Sequence, residues 1–501
     1  MASAMDTTDD LRLLLASRHT LIVAEMQDEG RFMEILRRAA LVGGYPVWTW
    51  SVTRGLSREG FDPQMGTTDP RKALDFVASL PDPGVFVMAD IHAAFGDAVV
   101  VRRIKEIAQR GRPGQTLVLT GPRAQVPAEL QGLALPWSLE PPTRDEIAAL
   151  VRRTMDDLAA RNLPVVMGAK AVDELVEALR GLTLPEAERL ILQAAFRDGL
   201  LDEKDVAYVR GAKAELLEAN GVLELVPDET GGLDQVGGMD NLKEWLRVRG
   251  RAFEQEARAA GLEAPRGVLL TGVPGCGKSL VAKTLARTWE LPLVLLDPGR
   301  LYGAFVGESE SRLRTALATV EAMAPVVLWV DEVEKGFAAG TTATDSGVSQ
   351  RVLGTFLRWM QDRPAGVFLV ATCNDVASLP TEFLRRGRFD EIFFVDLPGR
   401  SEREAILRVQ LARRKRDPAA FDLARLAEAT AGFSGAEIEG AVVGASYRAY
   451  ADGHDVTTGA ILTEVGATSP LSRTRAEDVA RIRAWATGRT VPATRTEEAN
   501  V

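Results

Sequence analysis

The sequence predicts an α/β protein with two parallel-sheet units, each followed by a helical block, and with a phosphate-binding loop in the second unit alone. Short apolar runs alternate with helical periods in two separate stretches of the chain, which is typical of βαβ units. In the second stretch, a glycine-rich segment ending in Gly-Lys-Ser lies between an apolar run and a helical period. Because 501 residues exceed a single hydrophobic core, several domains are expected.

The first α/β unit is predicted over residues 1–142, and it lacks the chemistry of a phosphate site. Its strand candidates are residues 20–24, 46–50, 85–88 and 116–120. The segment that follows the first candidate, residues 25–29, carries carboxylates that would repel a triphosphate. Asp90 and His92 follow the third candidate and are either the remnant of a site or ordinary strand-end residues. The second interpretation is favoured because nothing else in this half completes a site.

The remaining segments are predicted from periodicity and composition. Residues 143–230 are predicted to be helical because charged and apolar residues recur at helical periods. The glycine-rich stretch 231–238 predicts a linker that opens the second α/β unit, residues 231–398. A second helical block follows over residues 399–489, and the polar tail, residues 490–501, is predicted to be disordered.

Composition limits the classes of partner and location. The chain is 46% hydrophobic and 26% charged with a net charge of −10, so it has no general attraction to nucleic acid or to anionic membranes. No apolar segment approaches membrane-spanning length, and the acidic start lacks the order of a signal peptide. Two cysteines, Cys276 and Cys373, are too few for a disulfide framework or a zinc cluster. We therefore expect a cytoplasmic protein with no membrane span, and nucleic acid is not the expected partner.

The phosphate-binding loop is predicted immediately after the apolar run 267–270. Its glycines let successive backbone N–H groups point at phosphate oxygens, Lys278 reaches the β- and γ-phosphates, and the Ser279 hydroxyl binds Mg²⁺. A helix then places its N-terminus against the phosphates. The alternative is a glycine-rich turn without ligand, which the strand–loop–helix context disfavours. The sequence thus predicts a site for ATP or GTP, with these binding residues: Gly272, Pro274, Gly275, Cys276, Gly277, Lys278, Ser279 and Leu280.

Polar groups at the ends of two later apolar runs predict hydrolysis. The run 326–330 ends in Asp331, expected to hold Mg²⁺ through water, and Glu332, expected to orient and deprotonate the attacking water. The run 367–373 ends in Asn374, whose amide is suited to hydrogen-bonding that water and the γ-phosphate. The alternative for Asn374 is a strand-end residue that begins a turn.

Two further motifs follow these strand ends. Arg385 and Arg388 offer planar, bidentate donors that suit the charge of a phosphoryl transition state, but no general rule says which active site they face. The helix that begins near Gly435 and Ala436 is preceded by a Ser/Gly turn, which by itself indicates only a helix cap.

Taken together, these motifs resemble the AAA subgroup of AAA+ ATPases over residues 232–487. The resemblance implies a P-loop AAA+ module, a parallel sheet plus a helical lid, that binds ATP and Mg²⁺. It implies that Val236 and Gly237 lie beside the adenine and that Gly435-Ala436 belongs to the lid side of the site. It also implies that the two arginines act as fingers on the ATP of a neighbouring subunit, in a homo-oligomeric ring that is usually a hexamer.

A second resemblance is narrower. Residues 328–337 and 388–398 are similar to the hypothetical-chloroplast-reading-frame (ycf) type of AAA protein of plastids and cyanobacteria. Those proteins also carry an N-terminal half without a phosphate loop. The resemblance implies a stromal location if this chain is plastid-encoded. By this resemblance the first unit is an AAA-like α/β domain, expected to serve as an interaction module for an unknown protein substrate or adaptor.

The segment 302–310 resembles the central pore loop of AAA unfoldases, where Phe305 and Val306 would grip a polypeptide. The alternative is that Phe305 packs within its own subunit. Three functions are therefore considered. The first is an ATP-driven remodeller that threads a protein substrate, the second an ATP-controlled assembly or regulatory switch that threads nothing, and the third a nucleic-acid-linked machine, which the acidic balance disfavours.

The two cysteines lie inside the nucleotide motifs. A thiol near a helix N-terminus can have a lowered pKa and react readily. One hypothesis is that modification of Cys276 blocks ATP binding. The favoured alternative is that both cysteines are small residues selected for fit.

Overall fold

The computed structural model divides into two compact units, Met1–Val206 and Ala207–Val501. The boundary predicted from the sequence lies between residues 230 and 231, and it remains a prediction. The structure describes residues 7–26, 28–121, 126–219, 221–227, 231–253, 257, 261–301, 308–337 and 346–495.

The first unit contains a mixed sheet with helices on both faces. Its strands are β1 (Leu21–Glu25), β2 (Val47–Ser51), β3 (Gly55–Arg58), β4 (Gly84–Ala89), β5 (Gln115–Gly121) and β6 (Leu135–Ser138), with a separate small pair, β7 (Val165–Val166) and β8 (Leu201–Asp202). The helices are α1 (Thr7–Ala16), α2 (Glu29–Val42), α3 (Pro70–Ser79), a 3₁₀ turn at Ile91–Ala94, α4 (Ala98–Arg110), α5 (Ala128–Gln131), α6 (Arg144–Ala160), α7 (Ala169–Leu179) and α8 (Leu184–Asp198). Helix α9 (Asp205–Ala219) crosses the division between the units.

The first sheet has the order β3-β2-β4-β5-β1-β6, and only β3 among its described strands pairs antiparallel. Alternate residues of each central strand face opposite cores: Val23 packs in one cluster and Ile22 in the other. Burial on both faces explains why these strands read as apolar runs. The four predicted strands are therefore confirmed. Strand β3 was missed because Gly-Leu-Ser-Arg contains no apolar run, and β6 because Pro136 argues against a strand.

The second unit is built around the larger sheet. Its strands are β9 (Leu223–Val226), β10 (Gly267–Gly272), β11 (Leu293–Leu296), β12 (Val326–Val330), β13 (Val367–Cys373), β14 (Glu391–Val395) and β15 (Val491–Pro492). The helices of its α/β part are α10 (Asp240–Gly250), α11 (Lys278–Thr288), α12 (Glu308–Ala322), α13 (Val333–Phe337) and α14 (Ser346–Asp362). The helices after β14 are α15 (Arg400–Arg413), α16 (Leu423–Ala429), α17 (Gly435–Ala451), α18 (Thr458–Ala467), α19 (Leu471–Thr474) and α20 (Ala476–Ala486). Short 3₁₀ turns lie at Leu233–Gln235, Arg251–Phe253, Pro298–Leu301, Val376–Ser378, Thr381–Leu384 and Pro418–Ala420.

The second sheet has the order β15-β14-β10-β13-β12-β11-β9. Without its two edge strands, β15 and β9, the second sheet has the chain order fifth, first, fourth, third, second, and the first unit shows the same order as β6-β1-β5-β4-β2. Each sheet also adds an antiparallel strand beside its second parallel strand, β3 on β2 and β9 on β11. The predicted likeness of architecture between the two halves is confirmed at the level of strand topology.

Three parts of the chain differ from the sequence-based prediction. The block 143–230, predicted to be helical, contains the short parallel strand pair β7 and β8. Residues 223–226, predicted to be helical, form β9 and pair with β11, because the open edge of β11 supplies main-chain partners. The tail was predicted to be disordered, and this is wrong for residues 490–495. Val491 pairs with Phe393 of β14, and the Ala493 N–H donates to the Phe394 carbonyl (2.9 Å). Main-chain pairing needs no apolar pattern, so composition did not reveal it.

A buried carboxylate ties this C-terminal segment to two other elements. Glu402, near the start of α15, is 7% exposed. Its Oε1 accepts from the Met239 N–H (3.0 Å) and from the Thr494 hydroxyl (2.7 Å), and its Oε2 accepts from the Gly399 N–H (2.8 Å). Met239 precedes α10, so one side chain joins α10, α15 and the C-terminal strand.

We expect Glu402→Ala to lower the free energy of unfolding of the full chain by about 2–4 kcal/mol, because buried N–H donors lose their acceptor. The measurement is the urea midpoint, followed by tryptophan fluorescence. Glu404→Ala, on the same helix and paired only at 3.8 Å with Arg400, is the matched control and should cost at most about 1 kcal/mol. Equal losses in the two variants would contradict this account.

Candidate functional site

The candidate site lies where neighbouring parallel strands of the second unit end. Strands β10, β13 and β12 are adjacent, so the residues that follow them meet at one edge of the sheet. A pocket at this edge is lined by most of the residues predicted to bind nucleotide or to catalyse: Val236, Gly237, Pro274, Gly275, Cys276, Gly277, Lys278, Ser279, Leu280, Asp331, Glu332, Asn374, Gly435 and Ala436. Gly272 does not line the pocket but contributes a carbonyl to the loop.

The loop and the helix after it form the floor of the pocket. Gly272 has a φ of 137°, and a Cβ there would lie 2.0 Å from the Val395 carbonyl oxygen, so no other residue fits. Gly277 begins α11 with a φ of 90° and provides no side-chain cap. The N–H groups of the first turn of α11 therefore remain available to an anion.

Lys278 and Ser279 lie at this helix start. The Lys278 ammonium donates to the carbonyls of Gly272 and Val273 (2.9 Å each), is 6% exposed, and has its pKa lowered by burial. Among the described residues, no carboxylate forms an ion pair with it, so its charge is not neutralised within the loop. The Ser279 hydroxyl donates to Asp331 Oδ1 (2.9 Å). A hydroxyl and a carboxylate oxygen thus meet beside the phosphate loop, where the sequence predicts Mg²⁺.

Both carboxylate oxygens of Glu332 have partners at this edge of the sheet. Oε1 accepts from the Asn374 side-chain amide (3.0 Å), and Oε2 forms an ion pair with Lys335. The Asn374 main-chain N–H donates to Glu334 Oε1 (2.9 Å), which places the amide beside Glu332. Sequence reasoning missed Glu334 and Lys335, although both follow Glu332 within one helical turn.

The helices after β14 cover the pocket. Helix α17 begins with a capping box between Ser434 and Glu437, and the Ala436 N–H donates to the Gly275 carbonyl (2.9 Å). A Cβ at Gly237 would lie 2.5 Å from Ile406 Cγ1 of α15, so this helix packs closely on the loop before α10. One face of α15 lines the pocket through residues that sequence reasoning missed: Ile406, Val409, Gln410 and Arg413. Their helical spacing was visible, but the face that meets the pocket depends on tertiary packing.

Comparison with known proteins agrees with this geometry. The model of the ATPase family associated with various cellular activities (AAA) matches residues 268–397, and that of the AAA+ lid domain matches residues 420–464. The SpoVK-like AAA ATPase N-terminal and second domains match residues 7–136 and 145–220. The AAA domain-containing protein ycf46 of Pyropia yezoensis is 32% identical over 487 residues, which cover 96% of this chain and 98% of that protein. This chain belongs to the AAA family of ATPases.

The resemblance to ycf-type AAA proteins, which rested on two short segments, is confirmed, and the likeness extends over nearly the whole chain. The ycf46 protein of Trieres chinensis is 33% identical over 490 residues, which cover 96% of this chain and 97% of that protein. The ATP-dependent zinc metalloprotease FtsH 2 of Salinibacter ruber is 32% identical over 256 residues, which cover only 49% of this chain and 36% of that protein. Members of the AAA family bind nucleotide and are usually oligomeric. No helix in the described part of this chain is long and apolar enough to cross a membrane.

The two predicted finger arginines do not line the AAA pocket of their own chain. Arg385 is exposed, and the Arg388 guanidinium is half-buried and donates to the Glu382 carbonyl. The loop that carries both arginines is anchored by Arg266, whose guanidinium donates to the Gly387 carbonyl (3.0 Å). Phe305 and Val306 lie outside the described residues.

The first unit offers a different helix start at the equivalent position. Helix α2 follows β1, and its N-cap Asp28 is buried and accepts from the Arg31 N–H (2.9 Å). The unit's own carboxylate therefore occupies the place that an anion takes at α11. Asp90 and His92 are exposed at the end of β4. The described residues contain no cluster of three or more His, Cys, Asp or Glu side chains that could hold a metal.

Both cysteines are buried, and this contradicts the hypothesis of a readily reactive Cys276. Burial raises the pKa of the Cys276 thiol to about 12, although Lys278 opposes the shift, and burial likewise raises the pKa of Cys373. The loss of solvation raises the thiol pKa more than the helix N-terminus lowers it, because a thiolate without water around it is costly.

We expect both thiols to resist iodoacetamide at pH 8 in the folded chain. A raised pKa keeps a thiol protonated until the pH approaches the new value, so about three pKa units lower the thiolate fraction of Cys276 at pH 8 by about 10³. Peptide mass analysis before and after unfolding in urea provides the measurement. Labelling of the native chain at the unfolded rate would contradict the raised pKa.

We expect a single ATP site per chain, because the equivalent helix of the first unit is capped by Asp28. Lys278→Ala should therefore abolish all ATP binding by the full chain, as measured by isothermal titration calorimetry. Lys283→Ala, on the same helix but outside the pocket wall, is the control and should bind as wild type. Binding by the Lys278 variant with the affinity of wild type would contradict a single site in this pocket.

Proposed function

We propose that this protein is a Mg²⁺-dependent ATPase that binds and hydrolyses ATP in the pocket of its second unit. The observation that carries the proposal is the convergence, at one sheet edge, of an uncapped helix start with Asp331, Glu332 and Asn374. The loop N–H groups and Lys278 bind the triphosphate, and Val236 and Gly237 lie beside the adenine under the cover of α15.

The donor set beside the loop suits Mg²⁺. Ser279 and Asp331 offer a hydroxyl and a carboxylate 2.9 Å apart, and Mg²⁺ prefers hard oxygen ligands while keeping several waters. When bound, Mg²⁺ neutralises charge on the phosphate oxygens. Ser279 and Asp331 would hold it, directly or through water.

Glu332 is the proposed general base, and Asn374 positions it and the attacking water. The Asn374 amide already reaches Glu332 Oε1 at 3.0 Å. Each carboxylate oxygen of Glu332 has one partner among the described residues and two lone pairs, so either oxygen can still accept a proton from water. Lys335 is largely exposed, so its ion pair costs little to break.

Arg385 and Arg388 are the proposed fingers for a neighbouring subunit's ATP. Their absence from the pocket wall of their own chain and their exposed loop support this role. A shared site of this kind implies a homo-oligomeric ring, with a hexamer as the expected form. A finger is worth on the order of 10³–10⁵ in turnover, so the isolated subunit should be nearly inactive.

A polypeptide is the proposed substrate of this ring. The partial likeness to an ATP-dependent metalloprotease supports a protein substrate, and the net charge of −10 gives no general attraction to nucleic acid. The first unit, whose equivalent helix start is closed by Asp28, serves as the module that recognises substrate or adaptor. Phe305 and Val306 are the proposed pore residues. A Phe305→Ala variant that keeps substrate processing would favour an ATP-controlled switch instead.

We expect Glu332→Gln to lower ATP turnover by at least about 10²-fold while ATP affinity stays within about threefold, because a general base acts in the chemical step. Turnover is measured by phosphate release, and affinity by calorimetry. Wild-type turnover in this variant would overturn the proposed hydrolysis.

Mixing two inactive variants tests the shared site. Arg388→Ala keeps its own pocket but lacks a finger, whereas Glu332→Gln keeps its fingers but lacks a base. In mixed rings the Arg388 variant's pocket receives a finger from its neighbour, so turnover should recover. Arg386→Ala, an exposed neighbour on the same loop, is the control and should stay active alone. No recovery, with concentration-independent wild-type turnover, would contradict shared sites.

A further inference from the structure

We propose that Thr372 is a positioning residue for hydrolysis, whose single hydroxyl fixes the side chain of Asp331 and the main chain of Glu332 together. The inference rests on the proposed ATPase function and concerns a residue that the sequence motifs do not single out. Thr372 lies in β13, and the pairing of Val330 with Ala371 places it opposite Asp331.

The Thr372 hydroxyl makes two hydrogen bonds, and one of them uses its single hydrogen. Thr372 is 1% exposed. Its Oγ1 donates to Asp331 Oδ1 and accepts from the Glu332 N–H (2.9 Å). A hydroxyl has one hydrogen and two lone pairs, so its hydrogen is committed to the proposed metal-holding carboxylate.

The first contact orients the carboxylate of Asp331. Oδ1 accepts from both Ser279 and Thr372, whereas Oδ2 receives no hydrogen bond from the described residues. Ser279 would hold Mg²⁺ through an oxygen lone pair and keep its hydrogen on Oδ1, so Ser279 and Thr372 together fix the carboxylate, and loss of the Thr372 hydroxyl would leave a single donor. Loss of the hydroxyl should therefore weaken the response to Mg²⁺ more than the binding of nucleotide itself.

The second contact holds an unusual backbone. Glu332 has a φ of 47°, in the left-handed region that residues with a Cβ seldom adopt. This conformation directs its side chain to Asn374 and Lys335. The N–H of Glu332 has Thr372 Oγ1 as its partner, so the hydroxyl stabilises the backbone from which the proposed base projects.

The first unit provides an internal comparison. Asp90, at the end of β4, also has a left-handed backbone, with a φ of 53°. Its N–H donates to the main-chain carbonyl of Thr120 (3.0 Å), the residue paired with Ala89. The turn thus forms there without a side-chain acceptor. The hydroxyl bridge is therefore not a requirement of the fold, and it occurs in the unit that carries the phosphate loop.

The test replaces the hydroxyl without changing the shape of the side chain. In the full chain, Thr372→Val should lower kcat by about 10- to 100-fold and raise the Mg²⁺ concentration for half-maximal turnover by about tenfold. The Kd for ATP measured without Mg²⁺ should stay within about twofold. Thr372→Ser, which restores the hydroxyl, should recover turnover to within about threefold of wild type.

Thr271→Val is the matched control. Thr271 lies on the adjacent strand β10, is 0% exposed, and its hydroxyl has no hydrogen-bond partner among the residues that the structure describes. The same substitution one strand away should leave kcat and the Mg²⁺ dependence unchanged. Thermal unfolding of each variant separates a loss of folded protein from a loss of catalysis.

Three outcomes would overturn the inference. They are wild-type kcat in Thr372→Val, failure of Thr372→Ser to restore turnover, and a fall in metal-free ATP affinity that matches the fall in kcat. These differ from failure of the proposed function. If wild type and Glu332→Gln turn over ATP equally, hydrolysis at this site is wrong whatever Thr372 does, and the role inferred for Thr372 falls with it.

Discussion

The parallel pairing of β10, β13 and β12 is the constraint on which the candidate site depends. Main-chain hydrogen bonds align these strands in register, so the residues that follow them, far apart along the chain, emerge at one edge. The phosphate loop, the Asp331-Glu332 pair and Asn374 meet there for that reason alone. The contacts among Ser279, Asp331 and Thr372 then follow from strand register rather than from any local sequence signal.

The two units show how one topology can support opposite electrostatics. Both sheets have the same order of parallel strands, and in both a helix follows the first of them. In the second unit a glycine begins that helix and leaves its N–H groups open to an anion, whereas in the first unit the buried carboxylate of Asp28 caps the helix. A few residues at a helix start thus separate an open helix N-terminus from one that is closed by its own carboxylate.

The cover of the pocket is joined to the rest of the second unit by polar contacts. The Ala436 N–H meets the phosphate loop at Gly275, and Glu402 of α15 accepts from Met239 and Thr494. The loop before α10, the first helix after the sheet and the C-terminal strand therefore share one buried carboxylate. Helix α15 therefore contacts two residues that line the pocket: Gly237, which lies close to Ile406, and Met239, whose N–H donates to Glu402.

By itself the sequence determined the two α/β units, the central strands and the residues of the phosphate loop, because two-sided burial and phosphate binding leave strong local patterns. It placed Asp331, Glu332 and Asn374 at strand ends, but it did not show how the strands pair. Thr372 therefore looked like an ordinary residue of an apolar strand. Local patterns also missed β15, whose pairing uses main-chain atoms, and the pocket face of α15. Only the tertiary structure decided these features, because burial and strand register depend on segments that are distant in the chain. For the same reason burial raises the pKa of Cys276, whereas its position near a helix N-terminus had suggested a lowered pKa.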